Sequence, residues 1–122
     1  MFHIASPDDI KKGKVTDVYF LRTKKILQEK GISKKVVVEF IVKSFPPGWE
    51  WGVFSGLEEA VELLTSINEI NVWAVKEGTF FGKDEPVVVI EGRYEEFGLY
   101  ETALLGFFCQ ASGVATKAAR CK

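Results

Sequence analysis

The chain is poor in the residues that make many functions easy to propose. Its 122 residues include one histidine, one methionine and two cysteines. The spacing of Cys109 and Cys121 matches no tetrahedral metal motif, so no metal site is expected from them. They read instead as a buried thiol and a tail thiol in a reducing compartment. His3, at the extreme amino terminus, matches no motif and reads as a structural or mobile histidine. A dominant charge sign is missing too, since 16 Lys and Arg face 17 Asp and Glu for a formal net charge of -1. That balance gives no electrostatic reason to expect nucleic acid or an anionic membrane as a partner. No run approaches the ~20 apolar residues of a membrane span. The start, Met1 to Ser6, lacks the charged and apolar regions of a secretory signal. A cytoplasmic protein is expected.

What is present describes an ordinary folded domain. A hydrophobic fraction of 47% and a charged fraction of 27% argue against disorder, and the length suits one compact unit. Ser6-Pro7-Asp8-Asp9 reads as a helix start closed by Gly13. Thr16-Asp17 opens a second helix to about Glu29, stopped by Gly31, with Tyr19 and Ile26, and Phe20 and Leu27, on one stripe. Val36 to Val42 is apolar on both faces apart from Glu39 and reads as a mostly buried strand. Trp49 to Phe54 is aromatic and extended. Ser55-Gly56-Leu57-Glu58 has the form of a capping box leading a helix through Leu57, Ala60, Val61, Leu64 and Ile67. Short strands follow at Asn71 to Val75, Gly78 to Phe81 and Pro86 to Ile90. Beyond Gly92 a helix is expected from about Glu96, with a broad apolar face at Leu99, Tyr100, Ala103, Leu104, Phe107 and Phe108. Ser112-Gly113 is expected to interrupt it. Trp49, Trp51 and Trp73 are read as core aromatics. The fold class is α/β in the α+β sense, a small, mostly antiparallel sheet with a covering helix. The chain reaches Cys121-Lys122 without a helix stop signal, and truncation of a longer protein is the expectation drawn from that.

Two segments carry more specific information. Thr16-Asp17-Val18-Tyr19 resembles the "TD-x-Y" signature that opens nicotinate and nicotinamide phosphoribosyltransferases. Glu101-Thr102-Ala103-Leu104-Leu105 through Gln110-Ala111-Ser112-Gly113-Val114-Ala115-Thr116 resembles the "ETALLGF…QASGIATKAAR" stretch of archaeal nicotinate phosphoribosyltransferases. The resemblance runs over nearly the whole chain, with the motifs in the order that family requires. It implies an open-faced, barrel-sandwich-like N-terminal domain spanning residues 1–122. The sheet core would be 31–96, while helices in 1–30 and 97–122 would join a C-terminal α/β barrel.

The resemblance also implies a function. The complete enzyme would form nicotinate mononucleotide from nicotinate and phosphoribosyl pyrophosphate, with Mg²⁺ on the diphosphate and ATP as co-substrate. It would act as a homodimer or higher homo-oligomer, and this part alone would be inactive, its catalytic residues lying elsewhere. Tyr19 takes the role of the ring that stacks on the pyridine, and Asp17 that of the acid beside the substrate. Arg120, one turn from Lys117, is the candidate for a phosphate contact. Glu101 stands where quinolinate phosphoribosyltransferases carry an arginine for a second substrate carboxylate, which tilts the reading from quinolinate toward nicotinate. Alternatives are a quinolinate or nicotinamide phosphoribosyltransferase fragment. A biotinyl- or lipoyl-like module is another, with Lys83 at the tip of the Gly82-Lys83-Asp84 turn.

Overall fold

The structure, a computed structural model, describes residues 5–121. His3 lies outside them. The first helix, α1 (Pro7–Lys11), starts where the sequence predicts, and the Ser6 hydroxyl accepts the Asp9 amide at 3.1 Å. Gly13 follows with φ +74°, a left-handed turn that a side chain resists. α2 (Val18–Glu29) comes next, with Asp17 at its N-cap and Gly31 left-handed beyond its end. None of its residues is buried. Phe20 and Leu27 are half-covered, whereas Tyr19 and Ile26 face outward.

Three strands form the main sheet: β1 (Lys35–Phe40), β3 (Asn71–Ala74) and β5 (Val88–Arg93). Its order is β1-β5-β3, and both pairings are antiparallel. In register, Val38 faces Ile90 and Ile90 faces Val72, so the inner face is one continuous apolar surface. A separate two-stranded ribbon pairs β2 (Gly52–Val53) with β4 (Phe80–Phe81). The outer face of the main sheet corrects the expectation of a strand buried on both sides. Val37 is 61% exposed and Trp73 56% exposed, because no element among the described residues packs over that face. Only Val36, Val38 and Phe40 of β1 turn toward the core.

Two helices close the inner face. α3 (Leu57–Leu64) buries Ala60, Leu63 and Leu64. After a short helix α4 (Tyr94–Phe97) and a 3₁₀ turn at Gly98–Tyr100, α5 runs unbroken from Glu101 to Arg120. It buries Ala103, Leu104, Phe108 and Thr116. The ring of Phe108 lies 5.4 Å from both Phe40 and Phe54, which joins helix, sheet and ribbon at one point.

Several local expectations fail for identifiable reasons. Ser112-Gly113 does not break α5, because the Ser112 hydroxyl is engaged by another segment. It accepts the Ser55 amide at 2.9 Å and donates to the Ser55 carbonyl at 3.1 Å. The helical region also begins at Tyr94 rather than Glu96, and β5 continues through Gly92 to Arg93. None of the three tryptophans is buried. Cys109 is exposed, like Cys121, and both are free thiols.

Candidate functional site

The aromatic at position 19 is the most exposed large hydrophobic side chain among the described residues. Tyr19 sits in the first turn of α2, 72% exposed, with its ring edge-on to Phe20 at 5.6 Å. Its backbone is held inside the helix, where the Tyr19 carbonyl accepts the Thr23 hydroxyl at 2.9 Å. An exposed phenol ring in the first turn of a helix is available to stack on a flat ligand.

Two helix starts meet beside it. Asp17 occupies the N-cap of α2 but makes no side-chain capping bond to its own helix. One carboxylate oxygen instead accepts the Thr102 hydroxyl from the first turn of α5, at a long 3.5 Å. Glu101 is the neighbour of Thr102, half-buried, and its carboxyl is raised above the ordinary glutamate range. Burial is the larger cause, and the charge of Asp17 adds to it. The Tyr94 phenol is raised as well, first by burial, then by Glu101 and Tyr19. Asp17, Tyr19, Tyr94, Glu101 and Thr102 thus form one cluster of two acids, two phenols and a hydroxyl. The Tyr100 hydroxyl donates to the Lys11 carbonyl at 2.9 Å and ties this end of α5 to α1. Sequence reading brought out Asp17, Tyr19 and Glu101 as candidates, gave Thr102 no role although it stands in the same motif as Glu101, and missed Tyr94, which stands in none.

Arg120 lies at the opposite end of α5. Its guanidinium carbon is 4.2 Å from the Trp49 ring centre and 4.1 Å from that of Trp51, a cation between two indoles. One Nη donates to the Trp51 carbonyl at 3.0 Å, while Nε is buried without a hydrogen-bond partner. Lys117 stands 5.7 Å from the Trp49 ring centre. The structure therefore does not bring Arg120 together with Tyr19 and Asp17. Pairs of tryptophan and arginine far apart in sequence leave no contiguous pattern by which this sandwich could have been found.

A groove of about 470 Å³ opens between the end of β1, the Phe45–Trp49 loop and the outer turns of α5. Phe45, Trp49, Leu105 and Phe108 give it apolar walls. Ser112 and Thr116 also line it, but their hydroxyls are bonded to Ser55 and to the Val53 amide. Among the described residues, no group of three or more His, Cys, Asp or Glu could hold a metal ion. No helix among them is long and apolar enough to cross a membrane.

The nicotinate phosphoribosyltransferase of Bacillus subtilis (strain 168) is 28% identical over 88% of this chain, and the chain covers 28% of that protein. The crystal structure of nicotinate-nucleotide pyrophosphorylase from Pyrococcus furiosus superposes with a TM-score of 0.90 at 56% identity. That match covers 98% of this chain and 30% of the other. Human nicotinic acid phosphoribosyltransferase has the same fold, with a TM-score of 0.76 at 23% identity over 86% of this chain and 27% of the human one. The chain thus spans less than a third of the length of these relatives. The model of the quinolinate phosphoribosyl transferase N-terminal domain matches residues 17–112, from the N-cap aspartate of α2 to the serine that clasps Ser55. That match takes in most of the chain, and the protein belongs to the quinolinate phosphoribosyl transferase N-terminal domain family.

Proposed function

We propose that this chain is the N-terminal domain of a phosphoribosyltransferase of NAD biosynthesis that acts on nicotinate. The pyridine nitrogen attacks C1 of the ribose in phosphoribosyl pyrophosphate, the C1–oxygen bond breaks, and pyrophosphate leaves. Tyr19 supplies a flat ring for the pyridine, an offset stack worth about 0.5–1.5 kcal/mol beyond the area it covers. Its outward position also fits presentation to the site of a second subunit, as in a homodimer. Arg120, held between Trp49 and Trp51 at the far end of α5, has no part in this pyridine site, and ATP coupling and Mg²⁺ belong to the complete enzyme.

The observation that carries the choice of substrate is the pair of acids at the meeting of α2 and α5. Burial first, and the charge of Asp17 second, raises the proton affinity of Glu101, so a further negative charge is disfavoured there. A pyridine with two carboxylates would add to that crowding, whereas one with a single carboxylate adds less. A second reading, quinolinate as substrate, is favoured by the family model itself, which describes quinolinate phosphoribosyl transferases.

The deciding experiment presents the full-length protein with phosphoribosyl pyrophosphate and either acid. Nicotinate is expected to be consumed with a kcat/KM at least about tenfold higher, equivalent to roughly 1.4 kcal/mol of discrimination. The reverse ranking defeats the nicotinate reading and establishes the quinolinate one.

A further inference from the structure

We infer that Thr102 is a positioning residue, which acts through Asp17 to set the direction in which α2 presents Tyr19. The inference rests on the proposed stacking role of Tyr19. α2 has no fully buried residue and meets the rest of the chain through half-covered side chains such as Phe20 and Leu27, so a polar tie at its first turn adds to what packing fixes. The side chain that ordinarily caps a helix start is available in Asp17, yet it makes no bond to its own helix. It is turned toward α5 and accepts the Thr102 hydroxyl at 3.5 Å, across 85 residues of sequence.

Thr102 is well placed to act as a fixed reference. It is half-buried in the first turn of the longest helix, directly before Ala103 and Leu104, both of which lie in the core. The same end of α5 is tied to α1 through the Tyr100 hydroxyl and the Lys11 carbonyl. Asp17 is therefore linked to a rigid neighbour two residues before the ring it would orient. A substrate stacked on Tyr19 would feel any loosening as lost pre-organisation, which weakens binding without altering bond-making at the ribose.

The test compares Thr102→Val, Thr102→Ser and Tyr19→Ala in the full-length protein with saturating phosphoribosyl pyrophosphate. A long, exposed hydrogen bond contributes at the low end of its class, so Thr102→Val is expected to raise KM for the pyridine acid about two- to fivefold. Its kcat should stay near wild type. Thr102→Ser keeps the hydroxyl and should restore KM, a rescue that a purely structural loss of the β-branched side chain would not produce. Tyr19→Ala should raise KM about tenfold or less. Thr102→Val with an unchanged KM, or a Thr102→Ser variant as impaired as Thr102→Val, would overturn the inference while the role of Tyr19 stood. An unchanged KM in Tyr19→Ala overturns both, because the ring being positioned would then have no substrate to meet.

Discussion

At the scale of single residues, the cluster at the start of α5 has a measurable electrostatic signature. The Glu101 carboxyl is raised by burial first and by Asp17 second, so the folded chain holds that proton more tightly than the unfolded chain does. Ionising Glu101 therefore costs the fold. The cost is absent below the ordinary value of 4.5 and complete once the pH has risen through the folded value. Asp9 and Glu95 have the opposite sign, lowered chiefly by hydrogen bonds from Ser6 and Ser33 respectively. Their contribution is present above their unfolded values and is lost as the pH falls. The Glu101 effect is thus read most cleanly as a difference between variant and wild type. Glu101→Gln is expected to melt at a higher temperature than wild type at pH 7, with the advantage vanishing toward pH 4. A variant with no advantage at pH 7 would remove the crowding on which the substrate argument relies.

Tyr19, Asp17 and Glu101 stand out as candidates in the sequence because each lies in a contiguous motif. The Asp17–Thr102 and Trp51–Arg120 contacts do not, since each joins residues dozens of positions apart and depends on how whole helices meet. Sequence spacing also left exposure undetermined. Tyr19 and Phe20 are adjacent and similar in chemistry, yet one is outside and the other half-covered, which depends on the rotation of α2 against the 3₁₀ turn.

At the scale of elements, periodicity located helices and strands well but misjudged how they are capped. Ser55-x-x-Glu58 has the form of a capping box, which needs Ser55 at the N-cap and Glu58 at the third helical position. Gly56 takes the N-cap instead, with φ +97°, and a Cβ there would lie 2.6 Å from the Phe107 carbonyl oxygen. The close approach of α5 thus selects a glycine and moves the helix start by one residue, out of register with the box. The exposed amides are served from elsewhere. Glu77 accepts from the Ser55 hydroxyl at 2.7 Å, from the Gly56 amide at 2.9 Å and from the Leu57 amide at 3.2 Å. A carboxylate at a helix N-terminus also meets the favourable end of the dipole. Replacing Glu77 by Ala should therefore destabilise the domain by about 1–2 kcal/mol, although Glu77 itself is solvent-exposed. Urea unfolding checks this, and a loss below about 0.3 kcal/mol would mean that water serves those amides equally well.

At the scale of the whole molecule, α5 decides the architecture. The expectation of a small antiparallel sheet under a helix holds, and a helix with a wide apolar face was readable in its residues. The extent of its reach was not. Its first turns meet α2, its middle fills the space between Phe40 and Phe54, and its last turns clasp the ribbon and the aromatic loop. One buried contact secures the last of these: the Val53 amide donates to the Thr116 hydroxyl at 2.8 Å. Thr116 is the one buried polar residue in the described chain, so the bond lies where water cannot replace it. Thr116→Val keeps the shape and removes the acceptor, leaving a buried amide unpaired at a cost of about 1–3 kcal/mol. The variant should also free the end of α5 from the ribbon, so amide exchange is expected to speed up at Val53 and in the last turns of α5 while Ile90 stays protected. Uniform acceleration across the chain would mean that α5 and both sheets open as one unit. Unchanged exchange at Val53 would mean that another acceptor takes over from the hydroxyl.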